Sequence, residues 1–448
     1  MKNFNIYTLL FSFCALWGCS ADDDGVADIG DGDYIRFGAQ VVEPVTRAAV
    51  QQPGIIDFEK LTDTSFGVYG YGPMATDYAG GLTPGVFDNQ KVQYVVSDKS
   101  TSTVLAVPGS WSYAWDGSKE VVANLKPWPK TNASASKYTF FAYAPYMAEG
   151  GTAPGITSVS SGGSGDPTIG YSVASATSES VDLLWGVHSE TGFPWLNVTR
   201  ANKTTSAVLF TMRHALCAIG YHAQVMVNEK NQLTDLTDES SFSTIGTGCR
   251  VTLKSITLAP KSGGKNFYAS GTLNLNNTAK NTPLWTLADE DRTVTQLVLD
   301  TEIDAKLKDP DPTEAGNTTF MGKGKEDEGY IPGVTESANT QTVIAGDNVF
   351  MVIPDAKQDY TATVEYFVTY TTGTGTYNRK LYTGTANIKD LELKAGTKYY
   401  LNLVFGLTTF KLVVTAQDWN EQSVSTTVVV EDGTSASSSL SRRAASAE

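Results

Sequence analysis

Cysteine, histidine and basic residues are all scarce in this chain of 448 residues, and each shortage closes off a class of function. The cysteines are Cys14, Cys19, Cys217 and Cys249, and the histidines are His188, His214 and His222. HExxH, CxxC and GxSxG are all missing, so the chain is not built like a zinc or serine hydrolase. His214 and Cys217 could suggest a thiol site, but a spacing of three in an alternating strand puts them on opposite faces. Lys plus Arg number 33 against 48 Asp plus Glu, a formal charge of −15. A nucleic-acid partner needs a basic footprint, so none is expected. Negative charge suits a soluble surface protein instead. Glycosidase chemistry would need two carboxylates at a set separation, whereas carboxylates on an acidic protein generally form a solvated face. The oxygen-rich runs DGVADIGDGD (24–33) and DPDPTE (309–314) lack EF-hand spacing. No catalytic residue, metal site or cofactor is expected.

Long apolar runs are missing as well, with one short exception. Tyr7 to Trp17 is almost continuously apolar after the positive Lys2, about the length of a signal-peptide core and too short to span a bilayer. It ends in Leu16-Trp17-Gly18-Cys19, which resembles a bacterial lipobox, although Trp17 is unusual there. That resemblance implies cleavage before Cys19 and lipid attached to its sulfur, with residues 1–18 as the signal peptide. Ser20 and then Asp22, Asp23 and Asp24 follow, within an acidic linker at 19–33. Ser plus an acidic cluster resembles the surface-export signal of lipoproteins from outer-membrane anaerobes. An outer-membrane lipoprotein at the cell surface, tethered through Cys19, is therefore expected; several acyl chains hold far better than one. With Cys14 leaving and Cys19 lipidated, Cys217 and Cys249 remain, either paired or as two buried thiols.

What the chain does have is Thr, Ser, Gly, Val and Tyr in short two-residue alternations broken by Gly, Pro, Asn and Asp. This predicts antiparallel strands with one wet face. Ile35, Phe37, Ala39 and Val41 share a face of the first strand, Tyr34–Val42. Phe66 and Val68 share one in FGVYGYG; Tyr138, Phe140, Ala142 and Ala144 share one in YTFFAYAPY. The alternation continues in CAIGYHAQVMV (from Cys217), ATVEYFVTY (from Ala362), YYLNLVF and FKLVVTAQDW. Pro354 closes NVFMVIPD. Short helices are predicted at 57–64 and 301–309, and long loops at 150–180 and 310–342. The polar stretch RANKTTS (200–206) marks a junction. Two tandem β-sandwiches follow, an N-terminal one over 34–203 and a C-terminal one over 204–430, before a disordered Ser-rich tail at 431–448.

FGVYGYG, WP (128–129), FFAYAPY, DLLWG (182–186), VLFTMRHALCAIGY, VTLKSITL, ASGTLNL, FMVIP, LKAGTKYYLNLVF and VTAQDW occur in this order. The ordered set resembles the fimbrillin family, that is, Mfa-like lipoproteins that build type V pili, over roughly residues 34–430. The resemblance implies an all-β fold of two transthyretin-like sandwiches and a structural or adhesive pilus subunit. It also implies that a trypsin-like, Arg-specific protease removes the lipid and the first strand. A neighbouring subunit's C-terminal segment would then fill the exposed groove.

Arg47, with Ala48 after it, is the candidate cleavage point: it follows the first strand and Pro44 in VEPVTRAAV, and the next arginine is Arg200. Removal of Ile35, Phe37, Ala39 and Val41 would expose their groove. Val424, Thr426, Val428 and Val430 alternate correctly for a donor strand, and equally for an ordinary strand of their own sheet. The polar tail after Val430, ending SRRAASAE, departs from stalk subunits of the family and raises an accessory or tip role. The expected partners are other pilin subunits, the protease, the outer membrane, and a host protein or glycan. The alternative function is a surface glycan-binding lipoprotein, for which Trp111, Tyr113, Trp115 and Trp128 would be either a sugar platform or half of a core.

Overall fold

The computed structural model describes residues 34–42, 54–95, 110–130, 134–163, 165–202, 207–227, 249–299, 333–335, 344–345, 349–373, 376–405, 410–419, 426–428, 430–431 and 437–439. They form an all-β fold of four sheets with one short α-helix, Phe58–Thr64. Asp57 caps that helix by accepting from the Lys60 amide at 2.7 Å, and Leu61 anchors it in the core.

The N-terminal half is one curled sheet of eight strands. Its order is Phe37–Val41, Val208–His214, Leu184–Val187, Lys137–Ala144, Phe66–Met74, Phe87–Val95 and Ser110–Ser112, with Trp195–Val198 also on Lys137–Ala144. Alternation decides which side chain goes where. Tyr138, Phe140, Ala142 and Ala144 enter an inner core with Phe66, Val68, Phe87, Trp111, Trp128 and Phe210. The intervening Phe141 and Tyr143 enter a second core on the other face, with Tyr69, Tyr71 and Trp185. The central strand is thus buried on both faces, which is why YTFFAYA has almost no polar residue. Gly67 makes room here: a Cβ on it would lie 2.3 Å from the Tyr143 ring.

The C-terminal half is a sandwich. One sheet has seven strands in the order Gly333–Thr335, Cys217–Val227, Thr397–Phe405, Phe410–Asp418, Thr426–Val428, with Ile344–Ala345 and Phe350–Val352 also on Cys217–Val227. The other has six, in the order Leu297–Leu299, Cys249–Pro260, Asp355–Gly373, Thr376–Leu393, Val430–Glu431, with Ser437–Ser439 also on Thr376–Leu393. Ile219, Leu401 and Val414 from the first meet Ile256, Val364 and Ile388 from the second. Cys217 is a free thiol in this core, its Sγ donating to the Val352 carbonyl at 3.4 Å, so no disulfide joins it to Cys249. Burial pushes its thiol far above the ordinary range, so it is an inert packing residue.

Two segments expected as loop or tail are partly strand instead. The stretch 150–180, expected as a loop, contains the strands Ile156–Ser160 and Thr168–Ser172. Buried Ile156, Ile169 and Tyr171 anchor them in the second core despite the surrounding Gly and Ser. These strands pair with Ser270–Ala279 and Thr282–Thr286 in a four-stranded sheet, so one sheet spans the division expected at 203/204. In the tail expected to be disordered, Ser437–Ser439 pairs with Leu381–Thr383, because the long strand there has an open edge to cover. The helix expected at 301–309 lies outside the described residues.

The two halves meet at a buried junction that carries several polar contacts. Asp182 and His214 are fully buried, with Oδ2 and Nδ1 2.6 Å apart. The same carboxylate accepts from the amides of Leu183 at 2.9 Å and Ile56 at 3.4 Å. The imidazole stacks on Trp419 at 3.6 Å, and Lys398 covers the indole at 4.4 Å. The Met351 amide donates to Ser180 Oγ at 2.6 Å, and Trp285 Nε1 to the Ala215 carbonyl at 3.0 Å. His214 and Cys217, three residues apart, end one sheet and begin another. Asp182→Ala removes the shared acceptor from a fully buried site, and a loss of about 3–5 kcal/mol is expected in denaturant unfolding. A loss under about 1 kcal/mol would contradict the lock.

Candidate functional site: the first strand and the groove beneath it

The first strand, Phe37–Val41, is the edge strand of the eight-stranded sheet. It pairs in parallel with Val208–His214, in the register Phe37↔Val208 to Val41↔Met212. The Val208 amide donates to the Arg36 carbonyl at 2.7 Å, and the Val42 amide to the Met212 carbonyl at 3.2 Å. Among the described residues its other edge has no ladder, only an isolated bridge between Tyr34 and Pro127. There the curl of the sheet brings up the segment 111–127, and the attachments are few. The Ile35 amide donates to the Lys126 carbonyl at 2.8 Å, and Tyr113 Oη donates to the Ile35 carbonyl at 2.8 Å while accepting from the Lys126 amide at 2.9 Å.

The side chains alternate as the sequence predicts. Ile35, Phe37 and Ala39 are buried in the inner core, and half-buried Val41 packs on it. Phe37 is the anchor: its ring lies 5.0 Å from Phe87, 5.5 Å from Phe140, 5.7 Å from Tyr113 and 6.0 Å from Phe210. Phe87 and Phe140 meet it edge-to-face, Tyr113 is tilted and Phe210 is stacked, and such aromatic contacts add to burial. Burying Ile35 and Phe37 alone stabilises the closed groove by roughly 3–6 kcal/mol. Gly38 fits because its neighbour across the ladder leans over it: a Cβ there would lie 2.7 Å from Leu209 Cδ1.

The outward-turned residues are polar. Gln40 donates to Thr211 Oγ1 at 3.1 Å. Arg36 Nη1 donates to both carboxylate oxygens of Glu120, at 2.9 and 3.0 Å. The Glu120 side chain is only 1% exposed, against 21% for Arg36, and also accepts from Ser112 Oγ at 2.7 Å. Sequence reasoning missed this pair, since 84 positions separate its members and no local pattern links them. Burial pushes the Tyr113 hydroxyl up to about 12 from its usual 10.0. Its proton stays on in the folded state, so this contribution is intact below about pH 10 and is lost as pH rises through about 12.

Of the aromatic residues weighed as a sugar platform, Trp111 and Trp128 belong to the core and Tyr113 packs against it. Trp111 packs edge-on to Phe66 at 5.0 Å, Trp128 to Tyr138 at 5.2 Å, and Tyr113 to Phe87 at 4.8 Å. Trp115, half-buried, forms an isolated backbone bridge with Glu120. An open cavity of about 340 Å³ lies elsewhere, beside His188, Trp195 and Leu196. His188 Nδ1 there accepts from the Glu190 amide at 3.2 Å, which closes a turn.

At the other end of the chain, Thr426–Val428 pairs with Val414–Ala416 at the edge of the seven-stranded sheet, and Val430–Glu431 with Asn387–Ile388 at the edge of the six-stranded one. The backbones of Thr426, Val428 and Val430 are thus paired within their own chain. Cys19, Arg47, Ala48 and Val424 lie outside the described residues. So do both oxygen-rich runs of the sequence.

No protein-family model matches the chain, and no curated protein matches it. Among solved structures it is similar to a fimbrial protein from Bacteroides vulgatus, with 19% identity over 86% of this chain and 99% of that one and a TM-score of 0.53. It is also similar to candidate cell adhesion proteins from Bacteroides uniformis and Bacteroides ovatus. The first shows 14% identity, coverage of 87% and 100%, and a TM-score of 0.37. The second shows 14%, 86% and 97%, and 0.39. The first of the three likenesses establishes a shared fold; the other two are too distant to add to it.

Phe37→Ala empties the centre of the aromatic pocket without touching the ladder. A loss of about 3–5 kcal/mol is expected in denaturant unfolding of the full chain. A near-neutral result would mean that the groove does not depend on its strand.

Proposed function

We propose that this protein is a fimbrillin-class pilus subunit, structural or adhesive and without catalysis, that assembles by exchange of its first strand. The observation that carries the reading is the construction of that edge. A single short strand, laddered on one side only among the described residues, covers an aromatic groove and is followed in the sequence by the polar joint that holds Arg47. Support also comes from the fold shared with a fimbrial protein and from the ordered motifs of the sequence. In this reading the chain leaves the cell as a lipoprotein anchored in the outer membrane through Cys19. An Arg-specific protease cuts between Arg47 and Ala48, and the segment carrying Ile35, Phe37, Ala39 and Val41 leaves. The exposed groove then favours a replacement strand by the same several kcal/mol that held the original.

The C-terminal segment supports a donor role in one respect. Its pairings, three residues on one sheet and two on the other, are short edge pairings that another contact could replace. The tail beyond it fits a tip or accessory position as well as a stalk. A glycan-binding module draws no support from Trp111 and Trp128, whose rings are buried; adhesion to a host protein or glycan would use another surface.

The test is limited digestion of the precursor with an Arg-specific protease, sequencing of the new N-terminus, and electron microscopy. A start at Ala48 accompanied by filaments, both abolished by Arg47→Ala, is the expected result. A start at Ala48 without filaments would restrict the protein to a tip or accessory place. A precursor left uncut at Arg47 and monomeric throughout would sink the reading.

A further inference from the structure

The first strand also carries the charge partner of a carboxylate that is buried while the strand is in place. Glu120 Oε1 keeps Ser112 Oγ, but Arg36 is the donor that the structure gives to Oε2. Its loop is pinned. The Val121 amide donates to the Ala114 carbonyl at 2.8 Å, the Asp116 amide to the Lys119 carbonyl at 3.0 Å, and the Ala114 amide to Ser112 Oγ at 3.1 Å. With the strand in place the Glu120 side chain is 1% exposed, so any strand that covers it again takes the carboxylate out of water and needs a cation at the place of Arg36. The groove therefore asks two things of any strand that enters it: a large apolar residue for the Phe37 pocket, and a basic residue next to it for Glu120.

The chain's own C-terminal segment does not meet the second demand. No Lys or Arg occurs between Lys411 and Arg442, and QSVSTTVVVED ends in two acidic residues. Around Arg442 and Arg443, the run SSSLSRRAAS offers Leu440 as its one large apolar residue. We propose that Glu120 is a specificity residue of the groove, and that its occupant after processing is a strand of a different protein. That strand alternates apolar residues and carries Arg or Lys beside its largest one. This rests on the strand-exchange reading above and adds to it the identity of the donor: the groove disfavours a second copy of this chain.

The test uses the full chain nicked within the joint, so that the first strand stays bound but can be displaced. The nick is made after Arg47 or, if that bond resists, at a protease site placed between Glu43 and Gln52. Fluorescent peptides then compete for the groove: residues 34–42 (YIRFGAQVV), the same peptide with Arg36→Met, and residues 422–432 (QSVSTTVVVED). The 34–42 peptide should exchange in. Its Arg36→Met form should bind at least about tenfold more weakly to the wild-type groove, and this difference should vanish in the Glu120→Gln protein. The 422–432 peptide should bind Glu120→Gln better than wild type. Exchange of 34–42 without discrimination against Arg36→Met, or wild-type binding of 422–432 as tight as 34–42, would overturn the charge rule alone. Failure of 34–42 itself to exchange would overturn the strand-exchange reading beneath it.

Discussion

Phe37 sits among four aromatic rings: Phe87, Phe140 and Phe210 from three strands of the eight-stranded sheet, and Tyr113 from the segment just after a fourth. Those strands are held by ladders of their own, and the first strand lies with Ile56, Leu61 and Trp128 in the core on the sheet's inner face. The strand brings little hydrogen bonding of its own. A parallel ladder of five residues on one side and a handful of contacts on the other hold its backbone, while its side chains fill an aromatic space. High apolar burial with low backbone commitment is the combination that lets one strand be replaced by another of the same pattern.

The rest of the molecule is built so that losing that strand need not undo it. The second core, beneath the other face of the same sheet, is shared with the four-stranded sheet and with Met351 and Trp419 of the C-terminal half. Asp182, His214 and Trp419 lock that junction on the side of the sheet that the first strand does not cover. Strain or exposure at the groove is thus separated from the junction by a complete layer of backbone. The C-terminal sandwich has a core of its own, between its two sheets.

Much of this was legible in the sequence because two-residue alternation is a direct record of which face is buried. Ile35, Phe37 and Ala39, like Tyr138, Phe140 and Ala142, fall where their period puts them. The strands at 156–160 and 168–172 were not legible, since Ile156, Ile169 and Tyr171 are few among Gly and Ser and the turn signals outweigh them. Long-range pairs leave no local trace either. Asp182 and His214 stand 32 positions apart, and Arg36 and Glu120 stand 84 apart; each partner reads locally as an ordinary charged or polar residue. The ordered motifs held more than their individual patterns. DLLWG supplies Asp182, VLFTMRHALCAIGY supplies His214 and VTAQDW supplies Trp419, so three of the recurring segments meet at the junction.

The central claim is that the first strand is held locally and can part from a sheet that stays folded. Hydrogen exchange on the intact full chain, resolved to peptides, tests it most directly. The account predicts that amides of Phe37–Val41 exchange through a local opening, well before those of the central strand Lys137–Ala144, whose protection persists. If the two segments exchanged together, only on global unfolding, the first strand would be an inseparable part of the core and the account would be wrong.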